Sequence, residues 1–422
     1  MRCLFILGCI FLSGCAPTAS QPAPTSEVKA EPQAPVVKPK WTPEMQTISN
    51  ANNQFACDLY ARLRTEPGNL FFSPFSIHTA LAMTANGARG ETLDEMVKVL
   101  HLPEDADARL AAGDVSKYFA AGGNGYELAV ANNLWGQKGF PWKADFLERQ
   151  RTRYGAELTQ VDFIDPANRE AAREMINASI EMTTKDKIKE LLKQDDLADK
   201  TRLVLTNAIY FKGKWAEEFD KKLTKEAPFT MADGSKKNVP LMALESNFRN
   251  METDEFQALE LPYKGNTLSM VVLLPLKHDG LPILEQKLNR EQLEKWLKKL
   301  ESARVNVWMP KFKSDNRIQL ADVLAGKMGM KLAFDGNSAD LTGIATITDG
   351  NLYIAKVIHQ SFVEVNEEGT EAAAATAVVI NQPNSTFIPR QPKIFRADHP
   401  FVYLIRDTNS GNILFMGRYT GP

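Results

Sequence analysis

From residue 44 onward, apolar positions recur at helical spacing through residues 44–64, 76–87, 92–100 and 167–192, which predicts helices there. The 92–100 stretch has acids in its first turn, where the helix dipole favours them. Residues 203–211, 268–274, 305–312 and 362–365 are short runs of β-branched and aromatic residues and predict strands. Helical spacing returns at 285–301 and 320–328. The two patterns interleave without a regular strand–helix–strand cadence, no repeat is present, and no Pro/Gly/Ser-rich linker divides them. The pattern predicts one large α+β domain over residues 44–422.

The first 43 residues break this pattern. Arg2 is followed by an apolar stretch from Leu4 to Leu12, then by Ser13, Gly14 and Cys15. A short charged start, an apolar core and a small-residue exit describe an export signal, too short to serve as a permanent span. Leu12-Ser13-Gly14-Cys15 resembles the bacterial lipoprotein box. That resemblance implies cleavage before Cys15 and lipidation of its thiol. Residues 16–43 hold seven of the chain's 23 prolines among small and polar residues. Such a segment cannot bury enough apolar surface to offset its ordering entropy and predicts an extended tether. Ala16 is not the Asp associated with inner-membrane retention. The expectation is an exported protein held on a bacterial membrane, the outer one, with its body periplasmic or surface-facing.

Composition narrows the chemistry. Fifty Lys and Arg face 52 Asp and Glu, a net charge of −2, which argues against a nucleic-acid partner bound through bulk charge. Cys3 and Cys9 leave with the signal and Cys15 carries lipid, so Cys57 remains as a single thiol, on an amphipathic pattern that predicts burial. Of five His, none has another His or Cys at metal-ligand spacing, so no metal or cofactor is expected. No nucleophile elbow, zinc-protease helix, phosphate loop or dinucleotide fingerprint is present. An enzyme is not expected. The basic residues of 287–304 alternate with Glu and Leu and predict a solvated helix face.

One segment stands apart. Every second residue from Thr370 (Thr370, Ala372, Ala374, Thr376, Val378, Ile380) is small or β-branched and uncharged. As a strand, this set would share one face and thread a narrow gap. An Ala-rich helix is the other reading of the same residues. The turn-rich run Asn381-Gln382-Pro383-Asn384-Ser385-Thr386 follows, so a strand-competent segment adjoins an exposed loop.

These residues resemble a known family, the serpins. Glu367-Glu368-Gly369-Thr370-Glu371-Ala372-Ala373-Ala374-Ala375-Thr376 is similar to the loop hinge of inhibitory members. The stretches Asn69-Leu70-Phe71-Phe72-Ser73-Pro74-Phe75-Ser76-Ile77, Thr206-Asn207-Ala208-Ile209-Tyr210-Phe211-Lys212-Gly213-Lys214-Trp215 and Phe395-Arg396-Ala397-Asp398-His399-Pro400-Phe401 resemble further family motifs in the same order, and His359 lies ten residues before Gly369. The resemblance implies an α+β fold with three β-sheets, eight or nine helices and an exposed reactive-centre loop. It implies suicide inhibition of serine proteases, with cysteine proteases as a further class: the cut loop inserts into the largest sheet and traps the acyl-enzyme. It also implies that Ser73, Ser76, Asn207 and His359 hold together two strands that part, and that Trp215 packs where the hinge enters. The partners implied are target proteases, and the protein is expected to be a monomer. The uncharged, compact inward positions favour an inhibitor. A non-inhibitory binding or scaffold protein of the same fold is the alternative.

The scissile bond is less defined. Counting forward from Gly369 reaches Pro383, whereas counting back from Phe395 reaches Thr386 or Phe387, and Asn384-Ser385 lies between. Phe387 would suit chymotrypsin-like enzymes, and Thr386 or Ile380 elastase-like ones. Asp186 stands where the family often has Gly, and Leu341 where Phe is frequent.

Overall fold

The computed structural model describes residues 39–123, 125–347, 350–370 and 391–422. In chain order the elements are α1 (Pro43–Leu63), β1 (Leu70–Phe72), α2 (Pro74–Ala85), α3 (Gly90–Leu100), α4 (Ala106–Ala120), β2 (Tyr126–Gln137), α5 (Ala144–Arg149), β3 (Leu158–Val161), α6 (Pro166–Thr183), β4 (Leu203–Lys214), β5 (Lys225–Thr230), β6 (Lys236–Glu252), β7 (Phe256–Pro262), β8 (Leu268–Pro275), α7 (Leu281–Lys287), α8 (Arg290–Lys298), β9 (Glu301–Pro310), β10 (Phe312–Gln319), β11 (Val357–Asn366), β12 (Gly369–Thr370), β13 (Lys393–Arg396), β14 (Phe401–Asp407) and β15 (Ile413–Tyr419). The described residues thus carry eight α-helices.

The strands form a six-stranded sheet, β10-β11-β12-β4-β2-β3, and a nine-stranded ladder, β1-β15-β14-β8-β7-β6-β9-β13 with β5 on β6. β6 joins two parts of the ladder: its start pairs β5, its middle β9 and its end β7. Counted on either side of β6, these parts and the six-stranded sheet make three sheets.

Local chemistry sets the helix ends. Thr42, Ser73 and Asp165 cap α1, α2 and α6 by accepting backbone N–H groups, each followed by Pro at a position where its missing N–H costs nothing. The periodic run 167–192 is shorter as a helix than its pattern predicts. α6 stops at Thr183, and Lys185 and Asp186 take left-handed backbone (φ 54° and 60°). The run 285–301 divides into α7 and α8, the second capped by Asn289, and gives way to β9 at Glu301. The run 305–312 spans two strands, β9 and β10, separated at Lys311. In place of an α-helix, 320–328 contains a wider π-type turn at Val323–Lys327.

Every residue of α2 is buried, against α1, β2, β4 and β15. Its surroundings form the main apolar core. A second, smaller core includes Trp135 of β2, Ile176 and Ile180 of α6, Ile188, Leu191 and Leu192 after it, Val204 and Ala208 of β4, and Ile358 of β11. This second core therefore spans the junction between β4 and β11. Cys57 is buried in α1, and burial pushes its thiol up to about 12, which leaves it unreactive near neutrality.

Candidate functional site

The site is the seam between β4 and β11 in the six-stranded sheet. Along its lower half the two strands pair directly and in parallel, from Val357 opposite Leu205 to Phe362 opposite Tyr210. Above this they separate, and β12 lies between them, with Gly369 opposite Lys214 and Thr370 opposite Gly213 on one side and Asn366 and Val365 on the other.

A polar row crosses the seam where apolar side chains would otherwise pack. Register places Asn132 of β2, Asn207 of β4 and His359 of β11 side by side. His359 Nδ1 donates to Asn207 Oδ1, and its Nε2 accepts from the Ser73 N–H at 3.0 Å. Asn207 Nδ2 donates to Ser76 Oγ at 2.5 Å and to Asn132 Oδ1, and Ser76 Oγ donates to Asn132 Oδ1 at 2.9 Å. Ser73 caps α2 by accepting from the Ser76 N–H at 3.1 Å and donates to the Leu414 carbonyl at 2.6 Å. The structure thus brings Ser73, Ser76, Asn207 and His359 into one buried network. Asn132 is a fifth member that the sequence reading missed. The adjacent Asn132-Asn133 pair within the otherwise apolar stretch 128–135 was the available signal.

The network requires neutral His359, because one ring nitrogen must accept. Burial pushes its pKa down to about 3. Burial likewise lowers His78, in α2, to about 4, despite the Leu100 carbonyl 2.8 Å from its Nε2. Both folded values lie below the ordinary value of roughly 6.5. Between the two values the unfolded chain binds protons that the folded one refuses. Stability present above pH 6.5 is therefore lost as pH falls toward the folded values. The expected loss is about 1.4 kcal/mol per pH unit for each histidine. Urea midpoints measured from neutral to acid pH should fall below pH 6.5, and His359→Gln should flatten that slope.

At the upper end, the hinge is held at each of its described residues. The Trp215 N–H donates to the Glu368 carbonyl at 3.0 Å, its indole Nε1 to the Asn366 carbonyl at 3.0 Å, and the Phe219 N–H to the Glu367 carbonyl at 2.8 Å. Trp215 stacks on Tyr263, with ring centres 4.6 Å apart. The Tyr263 and Thr370 hydroxyls share a hydrogen bond of 2.8 Å, and both side chains are fully buried. Burial raises the Glu367 carboxyl's pKa, but Lys311 and Thr224, donating to it, outweigh this and hold it below the ordinary carboxylate range. Lys221 pairs with Glu368. Gly369 sits at φ 148°, and a Cβ there would lie 2.0 Å from the Gly213 carbonyl oxygen, so only Gly fits this seat.

Tyr263, Lys311, Lys221 and Thr224 carried no sequence signal, since each reaches the hinge from a distant element. Of the hinge, Glu371, Ala372, Ala373, Ala374, Ala375 and Thr376 lie outside the described residues. So do Pro383, Asn384, Ser385, Thr386 and Phe387, the candidates for the cut, and Cys15. No cluster of His, Cys, Asp and Glu fit to hold a metal occurs among the described residues, and no helix among them is long and apolar enough to cross a membrane.

Residues 50–422 match the family model described as Serpin (serine protease inhibitor). An uncharacterized serpin-like protein of Thermococcus kodakarensis is 40% identical over 427 residues, covering 98% of this chain and 96% of the other. Human leukocyte elastase inhibitor is 40% identical over 393 residues, covering 90% and 100%. Among solved structures, Serpin48 of the insect Tenebrio molitor superposes with a TM-score of 0.79 at 34% identity, covering 90% and 100%.

Proposed function

Because the chain belongs to the serpin family, we propose that it is a suicide inhibitor of serine proteases, and of cysteine proteases as a further target class, working by strand insertion at the β4–β11 seam. The family supports protease inhibition in general. The observation that carries the mechanism is β12: two hinge residues already lie as a strand between β4 and β11. Continuing that register down β4, which has Gly369 opposite Lys214 and Thr370 opposite Gly213, would set Ile380 opposite Leu203, so residues 369–380 match the full length of β4. The alternating small and β-branched set would then share the buried face that Thr370 already occupies.

The chemistry begins in the protease. Its serine oxygen attacks the loop carbonyl, an ester forms, and the peptide bond breaks with a proton going to the departing amine. The freed upstream segment then enters the seam and carries the esterified protease along the sheet. Distortion of the protease's active site prevents water from completing hydrolysis. Insertion adds a ladder of hydrogen bonds on both edges of the new strand, which makes it downhill.

Incubation with a panel of proteases tests this. An SDS-stable complex, with release of the peptide beyond the cut, is expected, and sequencing that peptide assigns the scissile bond. Cleavage without a complex against every protease would favour the scaffold reading. We also propose that the protein is exported and lipid-anchored through Cys15, on the sequence grounds given above. Cys15→Ser should move it from the membrane to the soluble fraction, and an unchanged membrane fraction would refute the anchor.

A further inference from the structure

We infer that Asp196, with Arg317 and Lys356, forms an ionic clasp across the lower end of the seam and governs how fast the inserting strand completes its entry. The inference rests on the insertion reading above.

Residues 184–202 link α6 to β4 and lie across the seam. On one side they are tied to α6. Leu192 exchanges two hydrogen bonds of 2.9 Å with the Asn177 side chain, and Arg173 Nη1 donates to the Leu192 carbonyl at 3.0 Å. α6 in turn packs on β2 and β3. On the other side the same residues are tied to β10 and to the start of β11. Arg317 of β10 donates through Nε to the Leu191 carbonyl at 2.8 Å and through Nη2 to Asp196. Lys356, one residue before β11, reaches Asp196 Oδ1 at 3.0 Å. Gln319 adds a longer contact of 3.4 Å, and Asp196 Oδ2 accepts the Lys193 N–H at 2.8 Å. Asp196 is only 7% exposed, so these pairs are poorly screened by water.

The clasp therefore bridges the two groups of strands that insertion must separate. β2, β3 and β4 lie on the α6 side, and β10 and β11 on the Asp196 side. A new strand widens the sheet by about 4.8 Å. Contacts of 3.0 Å at Lys356 and 2.8 Å at Arg317 cannot span that widening while 184–202 stays fixed to α6. The continued register delivers Ile380 to Leu203, seven residues along the chain from Asp196, so the clasp meets the strand last. The hinge end is pre-opened, and the clasp end is shut by charge.

The test is uptake of a synthetic peptide with the sequence of residues 370–380 by the full-length protein, followed by native mass spectrometry. Asp196→Asn keeps an acceptor for the Lys193 N–H and removes the charge. It should take up the peptide roughly tenfold faster than the parent. Lys356→Gln should shift the rate in the same direction by less, and Asp196→Glu should restore it toward the parent value.

Glu260→Gln supplies a control for general weakening. It removes a buried carboxylate paired with Arg249 and Arg406 in the nine-stranded ladder, away from the seam, and should leave uptake unchanged. Equal rates in the parent and Asp196→Asn, or equal acceleration by Glu260→Gln, would overturn the clasp while leaving insertion intact. Failure of every variant to take up the peptide would overturn the insertion reading and the clasp with it.

Discussion

Thr370→Arg is expected to turn a trap into a substrate. Thr370 is fully buried, and its hydroxyl is bonded to Tyr263 beneath the Trp215 ring. The carboxylates of the same hinge, Glu367 and Glu368, are already paired with Lys311 and Lys221. Tyr263 itself stays protonated, because burial holds its pKa far above the ordinary phenol value. A guanidinium in that seat would be desolvated without a counter-charge, at a penalty of several kcal/mol. On the insertion reading Thr370 is also the first inward side chain of the entering strand, so the penalty falls at the earliest step and stalls every later one.

The candidate cut sites lie more than ten residues further along the chain, so acylation should proceed at about the parent rate. Hydrolysis then outruns insertion. The stoichiometry needed for full inhibition should rise by roughly two orders of magnitude for a barrier raised by about 3 kcal/mol. Gels of a target protease should show cleaved inhibitor in place of the SDS-stable complex, while Thr370→Ser should retain the complex. A persistent complex with Thr370→Arg would sink the mechanism.

Of the alternating set that begins at Thr370, Thr370 itself falls among the described residues, and it is fully buried. The seam's polar members were legible as Ser73, Ser76, Asn207 and His359 within apolar runs, whose burial forces them to find partners. What the sequence hid was long-range. Lys311 sits between two strands and reaches Glu367, 56 positions away, and Tyr263 meets Thr370 across 107 positions. No local pattern encodes such meetings.

The overrun of the helix after Thr183 has a different cause. Ile188, Leu191 and Leu192 keep helical spacing, and all three are fully buried. Their burial is in irregular chain held by Asn177, Arg173 and Arg317, so apolar spacing reported the core correctly and the backbone incorrectly. The split of the 305–312 run falls at Lys311, a residue that departs from neither strand's composition.

Asn207→Ala should weaken the intact protein more than its loop-cleaved form. Asn207 donates to Ser76 and Asn132 and accepts from His359, at the centre of a row across three adjacent strands. Alanine leaves the His359 Nδ1–H without its acceptor and removes the donor facing the Ser76 and Asn132 oxygens; His359 and Ser76 are fully buried and Asn132 partly so. Each orphaned group costs about 1–3 kcal/mol, or about 4 kcal/mol together. For a domain of this length that corresponds to a fall of about 5 °C in the thermal midpoint of the intact form. Insertion changes the reckoning, because a strand between β4 and β11 already separates Asn207 from His359. The Ser76 and Asn132 contacts lie on the β4 side of the seam and persist, so the substitution then costs only those, and its midpoint should fall by about half as much as in the intact form. The imbalance has a kinetic counterpart. A seam that opens more often exposes the unpaired edges of β4 and β11, which any free strand-competent segment can fill, including the loop of a second copy. Warming Asn207→Ala should therefore produce chains of linked molecules on native gels at temperatures where the parent shows none. Melting curves of the intact and cleaved forms, run side by side, decide the matter. Equal shifts in both would mean that the row stabilises the sheet in general and does not act as a lock on the seam.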